Sequence, residues 1–298
     1  MPNEQFYIRM MGEDWRRGIK KMRVPVLEKR IRVTTSCRDC DALPRDPRAG
    51  ECFVDQDGNA VQIMHNGLKV LYGRYYGKWM NEIIADLGGV HEPQEERVFH
   101  EVLKHIPAGS TMLEAGCYWG YYSMWFAKAV KDARVFLVEP HPLQLEIAER
   151  NFEINRLHGD FSLGFFGGYP EHKRQIQIKR AGHLPRFTVP EFMDRKGLRR
   201  INLLHADIQG YEEQMLTEAA DLLARRRIDW VFVSTHGKRH WPCREILTDA
   251  GYHMVAEHDL AESASMDGLL VAQNPDLPQI PKIDISLVDG LVTAHGRG

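Results

Sequence analysis

Residues 111–126 read TMLEAGCYWGYYSMWF. The stretch begins with apolar residues typical of a buried strand, passes through Glu114 into a turn that contains Gly116 and Gly120, and ends in an aromatic segment. Glycine at the end of a strand lets the backbone approach a ligand closely. A helix that begins near Tyr121 would direct its free N–H groups toward the same place. The stretch therefore predicts a strand–turn–helix unit with a ligand site at the turn.

The alternation of strand and helix continues along the chain. Further strand-like runs are found at 135–139, 160–166, 201–206 and 230–234, and helical stretches at 121–131, 142–155, 211–226 and 240–250. A further strand is predicted at 174–180. Two strand-like runs at 252–258 and 268–274 have no helix between them, which predicts an antiparallel hairpin. The pattern predicts an α/β fold with a doubly wound, Rossmann-like parallel sheet that ends in this hairpin.

The first part of the chain has a different texture. Residues 1–50 are polar and basic, which predicts a surface arm. Asp57-Gly58 and Asn66-Gly67 predict the turns of a small antiparallel meander, and helical spacing predicts a helix at 78–87. We therefore predict three parts: an extension over 1–92 with a β-meander and a helix, an α/β domain over 93–274, and a tail over 275–298 that wraps the surface.

Composition excludes some classes of protein. The formal net charge is −2, which gives no general signal for nucleic-acid binding. There is no run of eighteen apolar residues and no apolar secretory signal, so neither a membrane span nor export is expected. Cys37 and Cys40 have the spacing of half a zinc site, but no second pair completes it. We expect reduced thiols, no structural metal and a cytoplasmic location.

The turn after the first predicted strand indicates the kind of cofactor. A dinucleotide fingerprint would require glycines where Tyr118 and Tyr121 stand, and the Glu114 carboxylate would repel a pyrophosphate. Glu139 ends the next strand, the place where an acidic side chain holds a ribose diol. Two acids, a glycine turn and no phosphate site fit S-adenosylmethionine. The predicted cofactor-binding residues are Glu114, Gly116, Tyr118, Gly120 and Glu139.

Three segments resemble the motifs of the FkbM-type methyltransferases: 112–127, 135–155 and 201–216, within a resemblance that covers roughly residues 95–273. The resemblance implies a class I methyltransferase fold and transfer of a methyl group to an oxygen, often on a sugar or a polyketide-derived hydroxyl. Two positions depart from the pattern. His205 stands where the family usually has lysine, and an aspartate often seen upstream falls near Glu191.

The candidate catalytic residues lie at the ends of two predicted strands. His205 and Asp207 point the same way on one strand, Glu212 follows in the next helix, and His236 ends the neighbouring strand. We predict that Asp207 and His236 converge on the acceptor hydroxyl, with His236 as the base. Alternatively, Asp207 and Glu212 only cap a helix, and His205 is a satisfied core residue. His236 and His240 could hold a divalent metal together with Asp207, but the sequence does not support one.

The predicted function is an S-adenosylmethionine-dependent O-methyltransferase that acts on a small metabolite or a glycan. The first alternative is a nucleic-acid methyltransferase, which is disfavoured by the neutral charge and because DIQG at 207–210 stands where amino-directed enzymes usually have a proline-rich tetrapeptide. The second is a catalytically silent cofactor-binding protein. A nucleic-acid partner is not expected, and the sequence leaves open whether the chain forms a homo-oligomer.

Overall fold

The computed structural model describes residues 24–167 and 184–288. The described helices are α1 (Val24–Ser36), α2 (Lys78–Asp86), α3 (Pro93–Leu103), α4 (Tyr121–Ala129), α5 (Pro142–Asn155), α6 (Val189–Lys196), α7 (Glu212–Glu218), α8 (Ala220–Ala224) and α9 (His240–Asp249). The described strands are β1 (Cys52–Val54), β2 (Ala60–Ile63), β3 (Lys69–Leu71), β4 (Thr111–Ala115), β5 (Arg134–Glu139), β6 (Asp160–Leu163), β7 (Phe165–Phe166), β8 (Arg186–Phe187), β9 (Ile201–Ala206), β10 (Ile228–Thr235), β11 (His253–His258) and β12 (Gly268–Gln273). The strand predicted at 174–180 lies outside the described residues.

Seven strands form the central sheet in the order β11-β12-β10-β9-β4-β5-β6. Strands β4, β5, β6, β9 and β10 pair in parallel, whereas β12 runs antiparallel to both β10 and β11. The parallel strands and the reversed strand β12 confirm the predicted doubly wound α/β sheet and its C-terminal antiparallel hairpin. The chain winds outward in opposite directions from β4 and β9. Ligands of such sheets bind at that switch point, beyond the carboxyl ends of the strands.

Both faces of the sheet are covered. Helices α2 to α5 pack against one face through a core that includes Phe99, Trp125 and Phe232. Helices α6 to α9 pack against the other face through a core that includes Phe192 and Leu216. Because neither face meets water, the strands contain nearly continuous apolar runs, and every residue of β10 is buried.

The extension shares the first of these cores. Strands β1, β2 and β3 form the antiparallel meander, and Met64 and Leu68 from this region join the same buried cluster as Trp125 of α4. The chain segment before residue 93 therefore has no separate core among the described residues. The tail is described to residue 288 and lies on the surface, where Ile283 N–H donates to the Val255 carbonyl at 2.8 Å.

Two helices depart from the sequence prediction. Helix α1 falls in the segment predicted to be a surface arm. Leu27 and Ile31 pack against the first core, and the Thr34 hydroxyl donates to the Ala264 carbonyl at 2.6 Å, so distant contacts stabilise a helix of weak local pattern. The sequence analysis predicts no helix where α6 lies. This helix begins with a capping box of Thr188 and Glu191, in which the Glu191 carboxylate accepts the Thr188 N–H.

The helix predicted over 211–226 divides at Ala219 into α7 and α8. No helix in the described part of the chain has the length and apolar character that a membrane crossing requires.

Candidate functional site

The turn between β4 and α4 brings the ends of β4 and β9 together. Gly116 has a φ of +79°, and a Cβ at this position would collide with the carbonyl oxygen of Asp207. The Asp207 N–H in turn donates to the Ala115 carbonyl at 3.0 Å. Gly120 also has a positive φ and precedes the first residue of α4. The predicted glycines are therefore required by the backbone, and they hold the turn close to Asp207.

Glu139 lies at the tip of β5, beside this turn. Its carboxylate accepts the Tyr118 N–H at 3.1 Å and the His141 N–H at 2.9 Å. The side chain is buried, so both hydrogen bonds fix its position. The structure thus brings the predicted acid directly next to the glycine turn.

Glu114 lies behind the turn rather than at its surface. It is buried, accepts the Ser123 N–H of α4 at 3.2 Å, and lies 3.8 Å from His205 Nδ1. Burial raises the pKa of its carboxyl to about 7. The sequence prediction gave Glu114 a direct part in cofactor binding, whereas the observed contacts have it support α4.

Aromatic residues cover the turn from the side of the extension. Tyr118 stacks on Tyr76 with ring centroids 5.4 Å apart, and Tyr75 stacks on Trp119 at 4.3 Å. We call these four residues the aromatic wall. Tyr76 is 44% exposed, so the wall has an open side. The sequence analysis did not find Tyr75 and Tyr76, although the tyrosine-rich segment at 72–76 directly after the meander is a usable signal.

His236 lies among three carboxylates at the ends of β9 and β10. Its Nδ1 is 2.9 Å from Glu212 Oε1, and its Nε2 is 3.0 Å from Asp267 Oδ1 and 3.5 Å from Asp207 Oδ1. We call these four residues the acidic cluster. Gln209 Nε2 also donates to Asp207 Oδ1 at 3.0 Å. The structure therefore places Asp207, Glu212 and His236 together, as the strand positions predicted.

Asp267 completes the cluster and was missed by sequence reasoning. It lies in the connection between β11 and β12, directly before the first residue of β12. Because β12 runs antiparallel to β10, this connection reaches the edge of the sheet where His236 lies. In the sequence, the local signal for Asp267 is an acidic residue directly before the strand that forms the second half of the predicted hairpin.

The acidic cluster shifts the pKa values of His236 and Asp207. Burial alone would lower the pKa of His236, but the carboxylates of Asp267, Glu212 and Asp207 outweigh it and raise the pKa to about 12. For Asp207, burial raises the pKa to about 8, and Asp267 adds to the effect although His236 opposes it. The three carboxylates therefore favour the imidazolium form of His236, which is a poor proton acceptor.

His205 has a different environment from Asp207. It is buried, its Nε2 lies 2.7 Å from Glu95 Oε1, and its ring lies against Tyr122. The other oxygen of Glu95 accepts the Ser234 hydroxyl at 3.1 Å. These contacts place the ring in the core between the sheet and α3, as the alternative interpretation expected, but only Nε2 has a close polar partner, and the buried Nδ1 has no hydrogen-bond partner among the described residues.

A second buried group of polar side chains joins the extension to the α/β domain. The Glu96 carboxylate lies 2.6 Å from His91 Nδ1 and 3.2 Å from His65 Nε2, and it accepts the Tyr121 hydroxyl at 3.0 Å. His91 also lies 3.3 Å from Glu92. These contacts span long distances along the chain, and the sequence analysis did not find them.

The side chains considered as metal ligands do not lie together. His240 Nδ1 lies 3.0 Å from the Thr235 hydroxyl and does not join the acidic cluster. Cys37 and Cys40 are buried free thiols, and Cys40 Sγ donates to the Pro93 carbonyl at 3.0 Å. Over 24–167 and 184–288, no group of three or more His, Cys, Asp and Glu side chains has a geometry suited to a metal ion.

Comparison with solved structures gives three examples of similar proteins. TrmK of M. capricolum, in complex with S-adenosyl-homocysteine, is 14% identical and covers 60% of this chain and 68% of its own, with a TM-score of 0.41. Trm5b of Pyrococcus abyssi is 14% identical and covers 72% of this chain and 54% of its own, also with a TM-score of 0.41. The present chain thus spans about half the length of Trm5b. Precorrin-6y C5,15-methyltransferase of Geobacter metallireducens is 16% identical and covers 59% of this chain and 87% of its own, with a TM-score of 0.37.

No protein-family model matches the chain, and no curated protein sequence matches it. Functional inference therefore depends on the geometry of the site.

Proposed function

We propose that the chain is an S-adenosylmethionine-dependent methyltransferase that methylates a hydroxyl oxygen of a small metabolite or a sugar. The observation that carries the proposal is the meeting of two features at the switch point of the sheet. The glycine turn with Glu139 beside it lies at the ends of β4 and β5, and the acidic cluster lies at the ends of β9 and β10. A cofactor site and a proton-accepting site therefore share one edge.

The residues at the turn fit this cofactor. Glu139 has the position and charge to accept hydrogen bonds from a ribose diol, and Gly116 lets the turn pass directly against the Asp207 carbonyl. Tyr118 in the aromatic wall offers a ring face to an adenine or to a sulfonium. When bound, S-adenosylmethionine supplies a methyl group that is activated by the positive sulfur.

The acidic cluster supplies the base. Sequence reasoning assigned this role to His236, but its carboxylate partners favour the protonated form. We assign the role to Asp207, whose raised pKa makes it a stronger base than an ordinary carboxylate. Asp207 would take the hydroxyl proton as the acceptor oxygen gains the methyl group and the methyl carbon–sulfur bond breaks, which would leave the neutral thioether S-adenosyl-homocysteine. The imidazolium of His236 holds the carboxylate in place and stabilises its charge.

The nucleic-acid alternative fits the site less well. Asp207, Glu212 and Asp267 place three carboxylates around His236, so the cluster carries a net negative charge and would repel a phosphate backbone. Methyl transfer to transfer RNA or ribosomal RNA, without transfer to hydroxylated small molecules, would favour this alternative. Cofactor binding without any turnover would indicate the silent cofactor-binding protein.

Replacing Glu139 with alanine is expected to weaken S-adenosylmethionine binding about 10- to 100-fold, because a charge-assisted hydrogen bond contributes about 1.5–3 kcal/mol. Isothermal titration calorimetry of the full chain measures the affinity. Glu149, an exposed acid of the neighbouring helix α5, gives the matched control as Glu149→Ala. NADH should not compete. If the wild type fails to bind S-adenosylmethionine, the methyltransferase proposal is wrong, whereas an unchanged Glu139→Ala affinity removes only this residue assignment.

The pH dependence of kcat/KM is expected to report Asp207. A base must be deprotonated to act, so activity should be low below the pKa, rise through about pH 8 and level off above it. The profile can be measured with labelled S-adenosylmethionine and an acceptor found by screening hydroxylated metabolites. A rise centred near the ordinary histidine value of about 6.5 would instead indicate a histidine base.

A further inference from the structure

Helix α1 places a buried arginine beside the candidate site. Arg30 is only 7% exposed, and its guanidinium lies over the ring of Trp79 at 5.0 Å. One turn further along α1, Thr34 donates to the Ala264 carbonyl and so attaches the helix to the segment that leads to Asp267. Trp79 in turn lies 6.0 Å from Tyr76 of the aromatic wall. Arg30 is thus linked to the aromatic wall through Trp79, and the charge of Asp267 in the acidic cluster acts on it through space.

Within the described part of the chain, the guanidinium of Arg30 contacts the Trp79 ring but has no anionic partner. Among the described residues no carboxylate is within ion-pair distance of its guanidinium, and Nε has no hydrogen-bond partner. Asp267 and Glu92 are the acids whose charges act on it through space. Both are engaged elsewhere, Asp267 by His236 at 3.0 Å and Glu92 by the Tyr122 hydroxyl at 3.1 Å.

A buried cation without a direct partner is costly, because the charge has lost water without gaining hydrogen bonds. The cost would be offset if an anionic group of the acceptor paired with the guanidinium. The guanidinium presents its donors as a planar fork, which matches the two oxygens of a carboxylate. A doubly charged phosphate would meet stronger repulsion from Asp207 and Asp267 than a singly charged carboxylate would.

We propose that Arg30 binds a carboxylate of the acceptor, so that the acceptor is a hydroxylated carboxylic acid whose hydroxyl lies at Asp207. The inference rests on the proposed methyltransferase function and specifies its substrate class. Arg30 is then a specificity residue, since it contacts a part of the acceptor that does not react. It would not contribute to cofactor affinity.

Calorimetry on the full chain loaded with S-adenosyl-homocysteine tests the proposal. The probes are two hydroxylated acids, D-glucuronate and 3-hydroxybenzoate, and their neutral partners, D-glucose and 3-hydroxybenzyl alcohol. At least one acid should bind more tightly than its neutral partner, and Arg30→Met should weaken that binding about 10- to 100-fold. Glucose 6-phosphate separates the two anions, and tighter binding of this phosphate than of glucuronate would overturn the carboxylate assignment.

Two further variants separate recognition from folding. Arg32→Met removes an exposed charge from the same helix and should leave acid binding unchanged. Arg30→Lys keeps the charge and most of the stem but loses the planar fork. The affinity for the acid should therefore fall, whereas the melting temperature and the cofactor affinity should stay unchanged. The inference is overturned if neither acid binds, or if Arg30→Met binds the acids as the wild type does. Failure of S-adenosyl-homocysteine itself to bind would instead overturn the proposed function.

Discussion

Replacing Asp207 with asparagine is expected to lower methyl-transfer turnover about 10²- to 10⁴-fold, the contribution of a positioned base. Asparagine keeps the shape of the side chain and can still hydrogen-bond, but it cannot take the proton of the acceptor hydroxyl. Cofactor affinity should remain, because Glu139 and the glycine turn are unchanged. Turnover with labelled S-adenosylmethionine, cofactor calorimetry and the melting temperature should be measured on the same preparation.

Two controls separate the base from its surroundings. Glu213→Gln removes an acid that pairs with Arg239 at 2.7 Å, at the surface and outside the acidic cluster, and should leave turnover unchanged. Asp267→Asn removes a charge from the cluster but leaves Asp207 in place, so it should shift the pH profile to lower pH and retain turnover above the new pKa. An Asp207→Asn protein with nearly full activity would show that Asp207 is not the base.

Much of the fold could be predicted because it follows from local periodicity. The strand runs predicted at 111–115 and 201–206 have the same bounds as β4 and β9, so Asp207 follows directly after its strand. The side-chain period of two predicts that Asp207 points the same way as His205. Adjacent parallel strands then bring Asp207 near His236. For His205, however, the period predicts only the direction of the side chain. Its environment is decided by the contact with Glu95 of α3, which is distant in sequence.

What the sequence could not give depends on contacts between distant segments. The acidity of His236 depends on Asp267, which belongs to a connection that follows β11. The place of Arg30 depends on the docking of α1 against α2. Hydrophobic periodicity predicts neither contact, because each involves a single side chain that a distant helix or connection brings into place. Chemical roles assigned from strand position alone, such as a histidine base, are therefore open to correction by one remote charge.

Replacing Glu96 with glutamine is expected to destabilise the protein by about 3–5 kcal/mol, because it removes one member of a buried ion pair and leaves its partners uncompensated. His91 and His65 both lie against this carboxylate, which is fully buried. The melting temperature should fall by about 6–20 °C. Glu101→Gln on the same helix is the matched control, since Glu101 is partly exposed and pairs with surface Arg97, a contact worth about 1 kcal/mol or less.

The pH dependence of unfolding identifies the cause of this loss. Burial would raise the pKa of Glu96, but His91 and His65 hold it well below its ordinary value, so its stabilisation is present above about pH 4.3 and is lost as the pH falls further. Burial would lower the pKa of His91, but Glu92 and Glu96 raise it to about 10, so its stabilisation is lost as the pH rises through that value. The stabilisation by His91 is complete only below the ordinary histidine pKa of about 6.5. Chemical denaturation at a series of pH values should therefore give the largest difference between wild type and Glu96→Gln from about pH 5 to 6.5, with a decline toward pH 10 and convergence at both extremes. A difference that does not change with pH would indicate that Glu96 acts through packing rather than through its charge.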